Sequence, residues 1–124
     1  MIHPDASFTL EYKGRWRPFL LEFERRATTP KRIPKRLRSY RRYFRSGWAK
    51  RDHGGHVPHV LFVFESRDGE TAFLDIADEM QEIPIITSNA EAIAKHGVLG
   101  DAWILPPPYS LDRRPLALTY RVQQ

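Results

Sequence analysis

Apolar and polar residues alternate along two stretches near the start of the chain, Ser7 to Tyr12 and Trp16 to Glu24. A period of two is typical of β-strands, whose successive side chains point to opposite faces. A short connection containing Gly14 separates the stretches, so the pattern predicts an antiparallel hairpin. On the second strand, Glu22 and Glu24 share a face with Leu20, opposite Phe19, Leu21 and Phe23.

The next segment changes to a period of three and four. Its apolar stripe consists of Ile33, Leu37, Tyr40 and Phe44, and it predicts a helix that packs on the sheet. Thr28-Thr29-Pro30 is expected to form a loop before this helix. We predict Pro34 at the first helical position, where the missing N–H has no cost, and Gly47 at the end.

The second half alternates between strand and helix patterns. Val60 to Phe64 is nearly all apolar, as expected of a central strand buried on both faces. A turn at Arg67-Asp68-Gly69 is predicted next, followed by a helix from Thr71 to Met80 and a strand from Ile83 to Thr87. The next predicted helix covers Ala90–His96, is capped by Ser88 or Asn89 and ends at Gly97. The last predicted strand runs from Asp101 to Leu105, with Trp103 in the core. This order predicts an α/β fold with a mixed central sheet flanked by helices.

Composition narrows the class of protein. A chain of 124 residues with 41% hydrophobic content fits one domain with a modest core. The chain has no cysteine, which excludes disulfides and cysteine nucleophiles. It has no apolar run of membrane-spanning length and no signal-peptide pattern, so we expect no membrane partner and a cytoplasmic location. Phosphate-binding glycine loops and serine nucleophile motifs are also absent from the sequence.

Charge is distributed unevenly along the chain. Lys13 to Arg51 holds 15 lysines and arginines against two glutamates, a balance of +13; since the whole chain carries +5, the other residues carry −8. A basic region of this size suggests a polyanion, and DNA is the partner that we predict. A charged, solvated face without a partner is the alternative.

Most of this charge lies on the predicted basic helix. Arginine forks suit phosphate oxygens, and the neighbouring aromatic residues Tyr43 and Trp48 can stack on unpaired bases. The candidate DNA-contacting residues are Lys31, Arg36, Arg38, Arg41, Arg42 and Arg45.

Three carboxylates are candidates for a metal site. Asp5 opens the first strand, so folding of the hairpin can bring it near Glu22 and Glu24. Convergent carboxylates repel one another unless a cation neutralises them, and hard cations such as Mg²⁺ prefer oxygen ligands. The alternative is that Glu22 and Glu24 form the solvated face of the strand and pair with nearby arginines.

Three histidines, His53, His56 and His59, are spaced by three residues beside Gly54-Gly55. Histidines spaced in this way are candidate zinc ligands. Structural zinc sites usually include cysteine, and the two glycines indicate a flexible loop, so zinc is the less favoured interpretation.

Several of these motifs occur together in a known family. Pro4-Asp5-Ala6, Leu21-Glu22-Phe23-Glu24-Arg25, Thr28, Lys35-Arg36-Leu37, Tyr40, residues 58–63 and a late Gly-Asp-Ala-Trp resemble the plasmid replication-relaxation family, within the PD-(D/E)XK nuclease-like superfamily. The resemblance covers most of the chain. It implies a restriction-endonuclease-like fold, with Asp5, Glu22 and Glu24 as ligands of Mg²⁺ (or Mn²⁺).

The sequence departs from the superfamily pattern in two places. Glu24 stands where a lysine is usual, and Lys31 or Lys35 on the following segment can substitute. The helix that usually precedes the Pro-Asp strand has no counterpart, because only three residues come before Pro4. The expectation is therefore that residues 1–124 form one nuclease-like domain at the carboxy-terminal part of a longer protein.

Two function classes remain open. In the first, the domain is a Mg²⁺-dependent DNA endonuclease in which Asp5, Glu22 and Glu24 hold the metal, Glu24 serves as third ligand or base, and Lys35 stabilises developing phosphate charge. In the second, a catalytically inactive domain binds DNA or a protein partner in plasmid replication or mobilisation.

Weak alternation of apolar and polar residues over Leu116 to Val122 predicts either an edge strand or a homodimer contact.

Overall fold

A computed structural model describes residues 2–24, 32–77, 83–105 and 112–116 of the chain. These residues form an α/β fold around a four-stranded mixed sheet with strand order β1-β2-β3-β4. The elements are β1 (Ala6–Tyr12), β2 (Arg15–Glu24), α1 (Arg32–Arg45), α2 (Trp48–Asp52), β3 (His59–Phe64), α3 (Arg67–Ala77), β4 (Ile85–Asn89) and α4 (Ala90–His96).

The antiparallel hairpin β1–β2 confirms the first prediction. The strands pair from Ala6 with Leu21 to Tyr12 with Arg15. The two connecting residues have φ values of 54° at Lys13 and 79° at Gly14. Positive φ at both central residues is what a two-residue turn of this hairpin class requires, and glycine adopts it without steric cost.

The rest of the sheet is parallel. β2 pairs with β3 in parallel, and β3 pairs with β4 in parallel. All six residues of β3 are buried, which confirms the predicted central strand. Parallel neighbours need crossover connections, and α1–α2 and α3 provide them.

Side-chain alternation divides the core between the two faces of the sheet. On one face, Leu20, Val60, Phe62 and Ile85 pack with residues of α1 and α3, including Leu37, Tyr40 and Phe73. On the other face, Phe19, Leu61 and Ile86 pack with Ala92 of α4 and with Trp103. Glu22 and Glu24 share the parity of Leu20 and therefore face α1.

The basic helix differs from the prediction at its start. α1 begins at Arg32, so Pro34 is the third helical residue and not the first. Proline is tolerated there because the first four N–H groups of a helix have no intrahelical acceptor. The predicted stripe is confirmed: Leu37 and Tyr40 are buried, and Ile33 and Phe44 pack against them.

Three other boundaries also differ. The sequence from Lys50 to Pro58 reads as a linker, but α2 (Trp48–Asp52) includes its first three residues. Arg67 to Gly69 forms the first turn of α3, not a separate turn, because the Ser66 hydroxyl accepts a hydrogen bond from the Gly69 N–H (3.1 Å) and starts the helix earlier. β4 begins two residues after Ile83, which is fully buried but lies before the strand. Burial, not strand pairing, explains the apolar character of Ile83.

The capped helix after Asn89 agrees with the prediction, whereas the predicted strand from Asp101 to Leu105 is present only as isolated bridges. The Asn89 side chain accepts a hydrogen bond from the Ala92 N–H (2.8 Å) and caps α4, and Gly97 ends it with a φ of 77°. Isolated antiparallel bridges join Thr87 to Ile104 and Trp103 to Arg114, and Trp103 is 2% exposed. The predicted loop at Thr28–Pro30, the end of the α3 prediction at Met80 and residues 117–122 lie outside the described residues.

None of the helices among the described residues has both the length and the apolar character needed to cross a bilayer.

Candidate carboxylate site and basic groove

Glu22 and Glu24 lie under α1 and are 3% and 5% exposed. Asp5 directly precedes β1, and its N–H donates to the Leu21 carbonyl (2.8 Å). The Asp5 carboxylate accepts a hydrogen bond from the Phe23 N–H at 2.7 Å. The hairpin therefore brings Asp5 to the end of β2 that carries both glutamates.

Two side chains of α1 contact the glutamates. The Tyr40 hydroxyl donates to Glu22 Oε2 at 2.5 Å. Arg36 Nη1 lies 3.4 Å from Glu22 Oε1 and also pairs with Glu24 Oε1. Positions 36 and 40 are one helical turn apart, and positions 22 and 24 share a strand face, so the two pairs meet where α1 lies on β2. We call Asp5, Glu22, Glu24, Arg36 and Tyr40 the carboxylate cluster.

The electrostatics of the carboxylate cluster raise the pKa of Glu22. Burial raises the pKa of Glu22 above its ordinary value, and the negative charge of Asp5 raises it further. The Tyr40 hydrogen bond and the Arg36 charge act in the opposite direction without cancelling the effect of burial. Burial and the neighbouring Glu22 also raise the pKa of Tyr40. The described cluster thus places two glutamates against one guanidinium, with the charge of Asp5 acting on Glu22.

The arrangement bears on the predicted Mg²⁺ or Mn²⁺ site. Arg36 lies against both glutamates, where a divalent cation would have to bind, and Asp5 is engaged by the backbone of Phe23. Within residues 2–24, 32–77, 83–105 and 112–116, no group of three or more acidic, histidine or cysteine side chains is arranged to hold a metal ion. The donor set as folded does not fit a divalent cation, because the Arg36 guanidinium already occupies the position beside both glutamates. The metal site stays a prediction.

Two residues assigned to the DNA face point inward. Arg36, a predicted DNA contact, binds the glutamates with its side chain 24% exposed. Tyr43 is 9% exposed, and its hydroxyl donates to Asp52 Oδ2 (3.0 Å) and lies 3.4 Å from His53 Nε2. Burial and the hydrogen bond to Asp52 raise the pKa of Tyr43 to about 12. Trp48, in contrast, is 47% exposed.

Four other predicted DNA contacts lie together with Lys35, the predicted catalytic lysine. Lys35, Arg38, Arg41, Arg42 and Arg45 line one groove of about 460 Å³ on α1, which we call the basic groove. From position 35 to position 45 the helix rises about 15 Å, so the groove is long enough to contact several phosphates. Lys31 lies outside the described residues.

Lys35 also reaches the carboxylate cluster. A cavity of about 330 Å³ adjoins the cluster, and its lining includes Glu22, Lys35, Arg36 and Tyr40 together with Ile2, His3 and Ser39. We call it the carboxylate cavity. Lys35 therefore lines both the carboxylate cavity and the basic groove, and the predicted catalytic residues Glu22 and Lys35 share one concave surface.

The three histidines occupy different environments. His59 is the first residue of β3, 6% exposed, with its ring centroid 5.8 Å from that of Phe19. His53 and His56 follow α2, and both line a shallow pocket beside Trp16. The part of the chain that the structure describes does not bring the three together as a metal-binding group.

A second buried charge cluster was missed by the sequence analysis. Glu70 is 1% exposed and accepts hydrogen bonds from Thr87 Oγ1 (2.7 Å) and Asn89 Nδ2 (2.8 Å). Arg113 pairs with both of its oxygens, at 3.0 Å and 2.5 Å. We call these four residues the Glu70 cluster. The sequence does contain a signal for the burial of Glu70, because this residue precedes Phe73 by three positions and so continues the apolar stripe of α3.

Family models, curated proteins and solved structures were compared with this chain, and none of them matches. The resemblance to the replication-relaxation family therefore stays a prediction, and the geometry of the described residues is the basis for a function.

Proposed function

We propose that this domain binds DNA through the basic groove of α1. The observation that carries the proposal is the arrangement of five cationic side chains, Lys35, Arg38, Arg41, Arg42 and Arg45, along one groove. Cations in a row at helical spacing match the repeating charge of a phosphate backbone, and the counterions released on binding supply affinity.

The interior of α1 supports this role. Leu37 and Tyr40 are buried in the core, and Arg36 is held by Glu22 and Glu24. These contacts fix the rotation of the helix about its axis. The basic groove is therefore presented by a rigid element, which lowers the entropic cost of binding a polyanion. In this proposal the carboxylate cluster orients the DNA-binding helix.

A second candidate function is Mg²⁺-dependent cleavage of DNA by a restriction-endonuclease-like fold, as the resemblance to the plasmid replication-relaxation family implies. The shared carboxylate cavity favours it, because Glu22 and Lys35 line the same space beside the basic groove. In that case Asp5, Glu22 and Glu24 would hold the metal and Lys35 would stabilise phosphate charge. The Arg36 guanidinium would first have to leave the two glutamates.

Salt dependence tests the binding proposal. Affinity for a labelled DNA duplex is measured by fluorescence anisotropy over a range of salt concentrations. We expect Arg38→Ala, Arg42→Ala and Arg45→Ala each to weaken binding and to reduce the slope of log affinity against log salt by about one per lost contact. Lys95→Ala is the control, because Lys95 lies in the last turn of α4, which packs on the opposite face of the sheet. Absence of binding, or equal effects of Lys95→Ala, would refute the proposal.

A plasmid assay separates binding from cleavage. Supercoiled plasmid is incubated with the wild type and with Glu22→Gln, with and without Mg²⁺ or Mn²⁺, and nicked or linear product is quantified. Metal-dependent nicking that Glu22→Gln abolishes, with DNA affinity retained, would establish the enzyme. Binding without nicking in either metal leaves the DNA-binding module.

A further inference from the structure

A second and larger cavity lies between the hairpin edge and the helix pair α1–α2. Its volume is about 580 Å³, within the range of about 300–1,000 Å³ that is common for small-ligand sites. The lining residues come from three parts of the chain: the hairpin with the residues before it, α1 with the residue that follows it, and α2 with the residue that follows it. We call it the α2 cavity.

The lining has two chemical parts. Ile2, Pro4, Leu20 and Tyr43 contribute apolar surface, and Trp48 contributes an indole that is 47% exposed. Asp52 and His53 provide polar groups that can accept or donate hydrogen bonds. A flat aromatic ligand with a hydrogen-bonding edge suits such a lining, because it combines stacking area with polar positions at the rim.

The position of Arg42 indicates that the ligand of this cavity also carries a phosphate. Arg42 lines both the α2 cavity and the basic groove, so the two concave surfaces adjoin at this side chain. The Arg51 guanidinium carbon also lies 5.7 Å from the centroid of the Trp48 ring. A ligand that fills the α2 cavity therefore has the cationic side chain of Arg42 beside it, and an aromatic ring joined to a phosphate backbone is the chemistry of a nucleotide.

We propose that the α2 cavity receives an unpaired base of single-stranded DNA while its phosphates lie along the basic groove. This inference rests on the proposed DNA-binding function and specifies the form of DNA. A base inside a duplex is stacked and paired, and a few kcal/mol is needed to turn it outward. Single-stranded DNA has unpaired bases already, so it can fill the cavity without that cost.

The first experiment compares oligothymidylate with an abasic oligonucleotide of equal length and charge. We expect the wild type to bind oligothymidylate more tightly than the abasic strand. Trp48→Ala should weaken oligothymidylate binding by roughly 5- to 150-fold, the equivalent of losing one stacked base, and should leave abasic binding nearly unchanged. Trp16→Ala is the matched control, since Trp16 is 55% exposed but does not line this cavity.

A second variant keeps the test valid if Trp48→Ala lowers stability. Ser7 faces the α2 cavity from β1, so Ser7→Ile should fill part of the cavity and weaken oligothymidylate binding while the abasic strand still binds. Thr9→Ile, two residues along the same strand and outside the cavity, should have no such effect. Equal affinity of the wild type for both strands would overturn the base pocket while duplex binding still upholds the basic groove. Failure to bind any DNA would overturn both.

Discussion

The chain buries two arginine–glutamate clusters on the same face of its sheet, and they are built differently. In the Glu70 cluster, one carboxylate meets one arginine in a two-bond pair and also accepts from Thr87 and Asn89. In the carboxylate cluster, Glu22 and Glu24 share the single guanidinium of Arg36, and the negative charge of Asp5 acts on Glu22. The first cluster balances its charges, whereas the second has an excess of acid.

The two clusters also differ in what lies around them. Arg113 also donates to the Ala102 carbonyl (2.9 Å), so it ties the segment around 112–114 to the sheet. The carboxylate cluster adjoins a cavity that Lys35 shares with the basic groove. A balanced and closed cluster is suited to holding the fold together, and a cluster with excess acid beside a cavity is suited to interact with a cation or a proton. These differences favour the carboxylate cluster over the Glu70 cluster as the candidate functional site.

The largest expected effect is that of Arg113→Ala. The substitution leaves Glu70, which is 1% exposed, without its cation. Removal of one partner of a buried ion pair costs about 3–5 kcal/mol, so we expect a loss of that order in the free energy of unfolding, measured by urea denaturation. The double variant Glu70→Leu with Arg113→Met should recover most of the loss. A loss below about 1 kcal/mol would show that the Glu70 cluster does not stabilise the fold.

A smaller effect is expected for Arg36→Ala, about 1–3 kcal/mol at neutral pH. Arg36 is 24% exposed, and Glu22 can take up a proton when its cation is lost, because its pKa is already raised. The loss should therefore shrink between pH 7 and pH 5, which thermal unfolding at both values measures. A loss that is equal at both pH values would mean that the two clusters behave alike.

The same Arg36→Ala variant tests whether Glu22 and Glu24 can bind a metal ion. If the glutamates can accept a divalent cation, Mg²⁺ or Mn²⁺ should raise the melting temperature of the variant more than that of the wild type, since ligand that binds only the folded state stabilises it. Arg113→Ala is the matched control, because it also removes a buried cation but exposes only one acid. Equal melting shifts in both variants would assign the change to general ion effects.

The smallest effect is expected for Glu22→Gln and appears in the pH profile. The pKa of Glu22 is raised above 4.5 in the folded protein, so between 4.5 and the folded pKa the folded state holds a proton that the unfolded chain has released. This contribution to stability is present at low pH and is lost as pH rises through that window. Glu22→Gln should lack the decline. Denaturation of both proteins from pH 4 to pH 8 tests this, with Glu11→Gln, an exposed position on β1, as control.

The described fold follows the sequence pattern closely in its elements and less closely in their ends. The hairpin, the central strand from Val60 and the capped helix after Asn89 were predicted because period-two alternation, a continuous apolar run and a capping residue are local signals. The start of α3 was wrong because Gly69 favoured a turn, whereas its N–H donates to the Ser66 hydroxyl in the first turn of the helix. The burial of Tyr43 was missed because its hydroxyl bonds to Asp52 of α2, in the stretch from Lys50 that was interpreted as a linker.

The sequence by itself determined which residues can share a face. Glu22 and Glu24 fall on one side of β2, and Lys35, Arg38, Arg42 and Arg45 fall on one side of α1, because strand and helix periods are properties of the backbone. The tertiary structure alone decided the partners: it turned Arg36 inward to the glutamates, joined Glu70 to Arg113 across 43 positions, and opened the α2 cavity beside Arg42. Such choices depend on the distance and rotation between packed elements, which no local pattern specifies.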